Sequence, residues 1–330
     1  IDLIAANTDL QVLHISKAPK KIQLGLKLTK GLGAGMKPEV GRDSAVESYE
    51  EIKATLKGAD IIFIAAGLGG GTGTGAAAII AKAAKEIGAL TVSVVTKPFT
   101  WEGKKRAGLA NLGLEELKKV SDSIIIVPND RLLEIIDENV GMKDAFKIID
   151  NILYQAVNGM SEVILNPGNS DINTDFADVK TIMQHKGMAL MGIGRAKGEN
   201  AAQRALEDAI DSPLLDKVSL NGAKGILIHF NIHPQVSLFA INDVMGTIND
   251  RMDSNAEIIF GTTSDSTLEK DEVKITIVAT GFESKNDEVE EISEGNEENS
   301  NQNNNIVADS ENYFDTPPLM RDYIVQYQLN

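Results

Sequence analysis

The 330-residue sequence predicts an α/β protein: a Rossmann-like domain on a parallel sheet, a long central helix, a second smaller α+β domain, then an acidic linker and a short C-terminal tail. Three observations carry this. Over the first 140 residues short apolar runs alternate with helical patterns. A single amphipathic pattern then continues without a break through Lys143–Ile164. Between an apolar run and a helix lies "GGGTGTG" (Gly69–Gly75), made only of Gly and Thr.

In the first domain, Ile1–Ala6, Ile61–Ala66, Thr91–Thr96 and Ser123–Val127 read as strands, and Asp43–Leu56, Ala76–Ile87 and Gly108–Val120 as helices. Continuous apolar strands separated by helices imply a parallel sheet covered on both faces. In the long helix Phe146, Ile149, Leu153, Ala156 and Val157 recur at i, i+3, i+4 spacing, and "NPGNS" (Asn166–Ser170) stops it. Residues 171–211 read as helical. Gly225–Ile232, Ala256–Thr262 and Val273–Gly281 read as strands, with a helix around Leu238–Met252. The resulting division is 1–142, 143–165, 166–283, 284–312 and 313–330.

Residues 284–312 hold nine acidic side chains against one lysine, a net −8 and half of the chain's formal −16, beside an Asn/Gln-rich run. That composition cannot build a core and reads as a disordered linker. The tail, "YFDTPPLMRDYIVQYQLN", regains apolar residues and reads as a docking peptide on a tether.

A formal charge of −16 argues against nonspecific nucleic-acid binding, which needs Lys and Arg on phosphates. There is no cysteine, which removes disulfides and thiolate zinc sites and suits a reducing cytoplasm. No apolar stretch approaches the roughly 20 residues that span a bilayer, so no direct membrane insertion is expected. The start, "IDLIAANTDLQ", is not a signal peptide. It lacks Met and opens inside an apolar run, so the expectation is a chain whose beginning is missing.

Strand, glycine turn, helix is an arrangement that binds phosphate, because backbone N–H groups at a helix N-terminus favour an anion. Thr72 and Thr74 add hydroxyls. A tight turn or close packing contact is the alternative use of such glycines. No Gly-Lys-Ser/Thr follows, so this is not a P-loop. "GTGTGA" (Gly71–Ala76) fits G-x-G-x-x-G/A, but the next strand ends in Thr96 and Lys97 where a dinucleotide site expects an acid.

"GGGTGTG" is similar to the signature of the tubulin/FtsZ family of GTPases. The resemblance extends through "NTD" (7–9), "KGLGAGMKPEVGR" (30–42), "VTKPFTWEGKKR" (95–106), "NTDFADVKTIM" (173–183) and "DTPPLMR" (315–321). It implies a polymerising cell-division GTPase. The implied phosphate-binding residues are Gly70, Gly71, Thr72, Gly73, Thr74 and Gly75, with Ala34 and Gly35 on the γ-phosphate side. Glu102 is implied on the ribose and Arg106 near the phosphates. Phe146 and Asp150 take the guanine-contacting positions, although on spacing alone Phe146 is a core residue. GTP or GDP is the implied ligand, with Mg2+ on its phosphates.

The resemblance also implies a catalytic role for Asn173, Asp175 and Asp178, in which the two aspartates form a carboxylate pair that orients and polarises water against the γ-phosphate. Helix capping is the competing reading for Asn173 or Asp175. These residues would complete the site of the next subunit in a head-to-tail homopolymer. Residues 313–321 would dock membrane-tethering and regulatory division proteins such as FtsA, and the protein would work in the cytoplasm at the division site under the inner membrane. The chain departs from the pattern in three places. A strand–loop–helix of roughly 30 residues is expected before "NTD", Ser170 stands where the family has Gly, and "DYIVQYQLN" extends past the tail peptide. The missing unit leaves a non-hydrolysing scaffold as the alternative function. His229 and His233, four apart, lie on a strand pattern and are about 13 Å apart there, too far to share a metal ion.

Overall fold

The computed structural model describes the chain except residues 1, 134–139, 166–169, 173–174, 186–187, 213–214, 216–219, 221, 283–322 and 328–330. The acidic linker and the peptide at 313–321 therefore lie outside the described residues.

The first half runs β1 (Asp2–Asn7), α1 (Leu10–Ile15), β2 (Lys20–Gln23), α2 (Leu26–Thr29), α3 (Pro38–Glu47), α4 (Tyr49–Leu56), β3 (Ile61–Gly67), α5 (Thr72–Glu86), β4 (Leu90–Lys97), α6 (Lys104–Val120), β5 (Ser123–Pro128) and α7 (Asn129–Leu132). β1–β2, β3–β4 and β4–β5 pair in parallel. β3, β4 and β5 are buried along nearly their whole length, which is why they read as unbroken apolar runs.

The single helix expected over Asp43–Leu56 is two helices. Ser48 breaks it: its hydroxyl donates to the Gln23 carbonyl at 3.3 Å and accepts the Gly25 N–H at 3.2 Å, tying the chain to the end of β2. Both α5 and α6 begin four residues before their expected starts. For α5 the glycine stretch is itself the first helical turn.

The second half opens with α8 (Met142–Leu165) and continues β6 (Ser170–Ile172), α9 (Phe176–Met183), β7 (Met188–Lys197), α10 (Ala201–Ile210), β8 (Gly225–Ile232), α11 (Leu238–Asn249), β9 (Glu257–Ser264) and β10 (Glu272–Phe282). The helical reading of 171–211 fails at β7, a ten-residue strand in the middle of the sheet. Met, Ala and Leu are helix formers, but here Ala189 and Met191 face one core while Leu190 faces another. Burial on both faces overrides the local propensity.

The described strands form one sheet, in the order β2-β1-β11-β3-β4-β5-β7-β10-β8-β9-β6, where β11 is Tyr323–Tyr327. β11 runs antiparallel between β1 and β3, opposing Ile324 to both Ile4 and Ile64. The segment that the sequence left without a role thus supplies a strand to the sheet. The two halves join where β5 meets β7 in parallel over Ile124↔Met188 and Ile125↔Ala189. α8 lies against both halves. Phe146, Ile149, Ile152, Ala156 and Met160 share one core with Val92 and Val94 of β4, Leu227 of β8 and Val278 of β10.

In the second half α10 lies so close on β7 that a Cβ on Gly194 would strike the Ala205 carbonyl. Gly194→Ala should cost about 1–3 kcal/mol of stability, read as a lower urea midpoint at unchanged m-value. An unchanged midpoint would contradict this packing.

Candidate nucleotide site

The parallel strands β1, β3, β4 and β5 end on one side of the sheet, where open α/β folds bind ligands. β3 leads into Gly67–Gly71 and then α5. Gly69 has φ +104°, a turn that needs glycine. Gly71 is the N-cap of α5 and offers no side-chain cap, so the helix's first-turn N–H groups have no intrahelical acceptor. That leaves a row of oriented donors at the positive end of the helix dipole.

The glycines of the loop divide into two kinds. A Cβ on Gly70 would meet nothing within 4 Å. On Gly71 it would lie 2.7 Å from Ala34 Cβ and 2.9 Å from the Lys37 nitrogen, and on Gly75 it would lie 2.6 Å from the Arg42 nitrogen. Gly41 of α3 is packed in the same way, against the Gly71 carbonyl. Gly71 and Gly75 therefore let α3 close on α5, while Gly70 lies on open space.

The two threonines also differ. Thr72 Oγ1 lies 2.6 Å from Thr8 Oγ1, joining the loop after β1 to the loop after β3. Thr74 is buried, and its hydroxyl accepts the Gly69 N–H at 2.9 Å, bracing the loop from within.

The segment 30–36 passes over this cradle. Lys30, Gly31, Gly33, Gly35 and Met36 all have φ between 53° and 84°. Ala34 is buried against Gly71, whereas Gly35 is exposed with open space beyond its Cα. Arg106 joins this segment to α6. Its guanidinium donates to Glu102 at 2.7 Å and reaches Met36 Sδ at 4.0 Å. The other Glu102 oxygen accepts the Phe99 N–H at 2.9 Å. The sequence-predicted pair is thus brought together beside Gly35.

Phe146 of α8 is buried, edge-on to Phe99 at 6.0 Å, and Phe99 stacks on the exposed Trp101 at 5.3 Å. The core contacts of Phe146 are those expected from spacing alone. Asp150, one turn along α8, is exposed.

Two residues at this end of the sheet escaped the sequence reading. Asn129, directly after β5, is fully buried, and neither amide atom has a partner among the described residues. A buried amide left without partners is costly, which marks it as a candidate ligand contact. Asp130 accepts from the Thr100 N–H and hydroxyl at 2.9 and 2.6 Å, fixing the turn that carries Glu102. The available signal was "PND" at the end of a predicted parallel strand.

The acidic residues are elsewhere. Asp175 is the N-cap of α9, its carboxylate accepting the Ala177 N–H at 3.3 Å, and Asp178 is exposed in the first turn. Capping by Asp175 is therefore real. Asn173 lies outside the described residues. β6, which leads into this loop, is the far edge strand, seven strand positions from β3. At about 4.8 Å per strand that is about 34 Å.

His229 is on β8, and its Nε2 lies 3.0 Å from Thr263 Oγ1. Burial lowers its pKa to about 4. His233 lies beyond the end of that strand, with Nδ1 accepting the Gln235 N–H.

Residues 1–137 match the model of the Tubulin/FtsZ family GTPase domain, and residues 187–283 that of the FtsZ family C-terminal domain. An FtsZ dimer from M. jannaschii, solved empty, is 47% identical, covering 84% of this chain and 80% of that one, with TM-score 0.77. The chain belongs to the tubulin/FtsZ family. Its GTPase-domain match spans both the glycine cradle and the Glu102–Arg106 turn. A tryptophan-to-tyrosine mutant of M. jannaschii FtsZ is 46% identical over 84% of this chain and 82% of that one, with TM-score 0.77. CetZ2 from Haloferax volcanii, a GTPγS-bound protofilament, shares the fold at 20% identity, covering 85% and 84% of the chains, with TM-score 0.71.

The two kinds of glycine separate experimentally. Gly70→Ala should leave the melting temperature within about 2 °C and weaken GTP binding at least about tenfold. Gly75→Ala should instead lower stability by about 1–3 kcal/mol. Equal thermal losses in the two variants would contradict the division.

Proposed function

We propose that this protein is a GTP-dependent polymer-forming GTPase of the cytokinetic ring in bacterial cell division, hydrolysing GTP where two copies meet head to tail. The distance between its two constellations carries this reading. The cradle at Gly70–Gly75 and the carboxylates at Asp175 and Asp178 are separated by most of the width of one sheet, so a single copy cannot close both on one phosphate chain. A second copy stacked in the same orientation can bring its acidic loop to the first copy's cradle. Such a heterologous contact does not close on itself and builds an open filament.

In this reading the amides of Gly70–Gly75 hold the α and β phosphates and Gly35 borders the γ phosphate. Glu102 takes the ribose hydroxyls and Arg106 turns to phosphate oxygen. Phe146 and Asp150 face the guanine, with Asn129 contributing its unpartnered amide. Asp178 and Asp175 of the neighbouring copy orient water for attack on the γ-phosphate, and Asn173 joins them. Among the described residues no group of three acidic or histidine side chains could hold a metal ion. A Mg2+ would therefore be held by phosphate oxygens and water, where it neutralises charge. The tail at 313–321 is the proposed dock for adaptors such as FtsA, and the acidic linker the spacer to the membrane.

Asp178→Ala should still form filaments with GTP while phosphate release falls about 100-fold or more. Specific activity of the unaltered protein should drop on dilution below the assembly threshold. Mixing is the sharper test. Gly70→Ala binds GTP weakly and Asp178→Ala lacks a catalytic carboxylate, so at GTP concentrations that fill only intact cradles an equimolar mixture should recover about a quarter of wild-type turnover through interfaces that pair the intact halves. No recovery in filaments containing both variants would refute the shared site.

A further inference from the structure

We infer that Asp130, acting through Thr100, is a positioning residue that sets the preference for a ribose at Glu102. The inference rests on the reading above in which Glu102 takes the ribose hydroxyls. Glu102 ends a short turn, Thr100–Glu102, between β4 and α6. Phe99, just before the turn, is buried. Thr100 and Trp101 are exposed, and Gly103, just after it, has φ +98° with open space beyond its Cα. Little packing therefore holds the turn in place.

Among the described residues, side chains of two other elements hydrogen-bond to it. Arg106 of α6 donates to Glu102 Oε2 at 2.7 Å. Asp130 of α7 receives Thr100 twice, the N–H on Oδ1 at 2.9 Å and the hydroxyl on Oδ2 at 2.6 Å. The bond from the Phe99 N–H to Glu102 Oε1, at 2.9 Å, only closes the turn on itself. Asp130 is well placed to anchor it. It lies two residues past β5, and its neighbour Asn129 is fully buried.

The two ties are not equivalent once a nucleotide is bound. In the proposed site Arg106 leaves Glu102 for phosphate oxygen, and Glu102 gives the freed oxygen to the sugar. The tie to α6 is then lost. The tie through Asp130 involves neither Glu102 nor Arg106, so it is the one that keeps the carboxylate at the sugar. Both of its bonds end on a carboxylate, and charge-assisted bonds of this kind are shorter and stronger than neutral ones. A group displaced by about 1 Å loses much of what its aim supplies. The cradle's contacts with phosphate do not pass through this turn. Losing Asp130 should therefore remove the ribose contribution and spare the rest.

GDP and its dideoxy analogue, which lacks both ribose hydroxyls, separate the two contributions on the full chain. The unaltered protein should bind GDP about tenfold more tightly than dideoxy-GDP. Asp130→Ala should narrow that preference to about threefold or less, with the affinity for dideoxy-GDP unchanged. Thr100→Val should narrow it in part, and Thr100→Ser, which keeps the hydroxyl, should restore it. The double variant Asp130→Ala/Thr100→Val should match Asp130→Ala alone, because both act through one contact. Trp101, the chain's one tryptophan, reports the turn directly. In Asp130→Ala its fluorescence anisotropy should fall with GDP bound and stay at the wild-type value without nucleotide. A wild-type preference in Asp130→Ala, or an equal loss of affinity for both nucleotides, would overturn the inference. Glu102→Ala run alongside separates the two claims. If it abolishes the preference while Asp130→Ala does not, the role of Asp130 alone falls. If it keeps the preference, the ribose reading of Glu102 falls first.

Discussion

Backbone-on-backbone contact between α3 and the first turn of α5 fixes the nucleotide end of the molecule. Gly41, Gly71 and Gly75 have no side chains to hold the helices apart, so the segment 30–36 is pressed onto the cradle, and Ala34 fills the gap that Gly71 leaves. Everything on that end is referred to this contact. The Thr8–Thr72 bond needs the two loops at one height, and Arg106 reaches Met36 only because the upper segment lies low. A glycine-rich phosphate loop is usually explained by the ligand's need for bare amides. Here the bareness of Gly71 and Gly75 serves helix packing, while Gly70 borders open space.

The second constraint is the joint. Among the described residues β5 and β7 share two register pairs, too few to hold two halves rigidly by themselves. α8 supplies the rest by burying one apolar face against strands of both. The halves are thus held at a set spacing, and the acidic loop is held away from the cradle. The distance between the acidic loop and the cradle is therefore a property of the core. β11 adds to the same rigidity by filling the place between β1 and β3, so that neither strand presents a bare edge to the other.

How much of this was legible follows from where the determinants are written. β3, β4 and β5 announce themselves because burial on both faces demands apolar runs, and α8 because one buried face demands its period. β7 was misread because "MALMGIGRAK" uses helix formers and two glycines. Those glycines make sense only once α10 is known to lie against them. The Ser48 break depends on a bond to Gln23, 25 residues away, which no local pattern encodes. At the site, the residue types of the cradle were readable, but the division of labour among its glycines was not. That division is decided by what each missing Cβ would strike. Asn129 was invisible for the same reason: an asparagine in a turn is ordinary until its burial is seen.

The electrostatics point the same way as the packing. A triphosphate approaches a chain with a formal charge of −16, so long-range attraction does not gather it. Arg106 is a cation at the cradle's edge, and it is already paired with Glu102. Affinity must then come at short range, from neutral N–H groups and the dipole of α5, which work at contact distance whatever the net charge. In the proposed site, breaking the Arg106–Glu102 pair would free a carboxylate for hydroxyls and a guanidinium for phosphate in one movement. A nucleotide carrying both a ribose and phosphates offsets the cost of separating them, whereas an inorganic phosphate would leave the carboxylate without a partner. That asymmetry favours a nucleotide over a bare anion, with no need for a basic pocket.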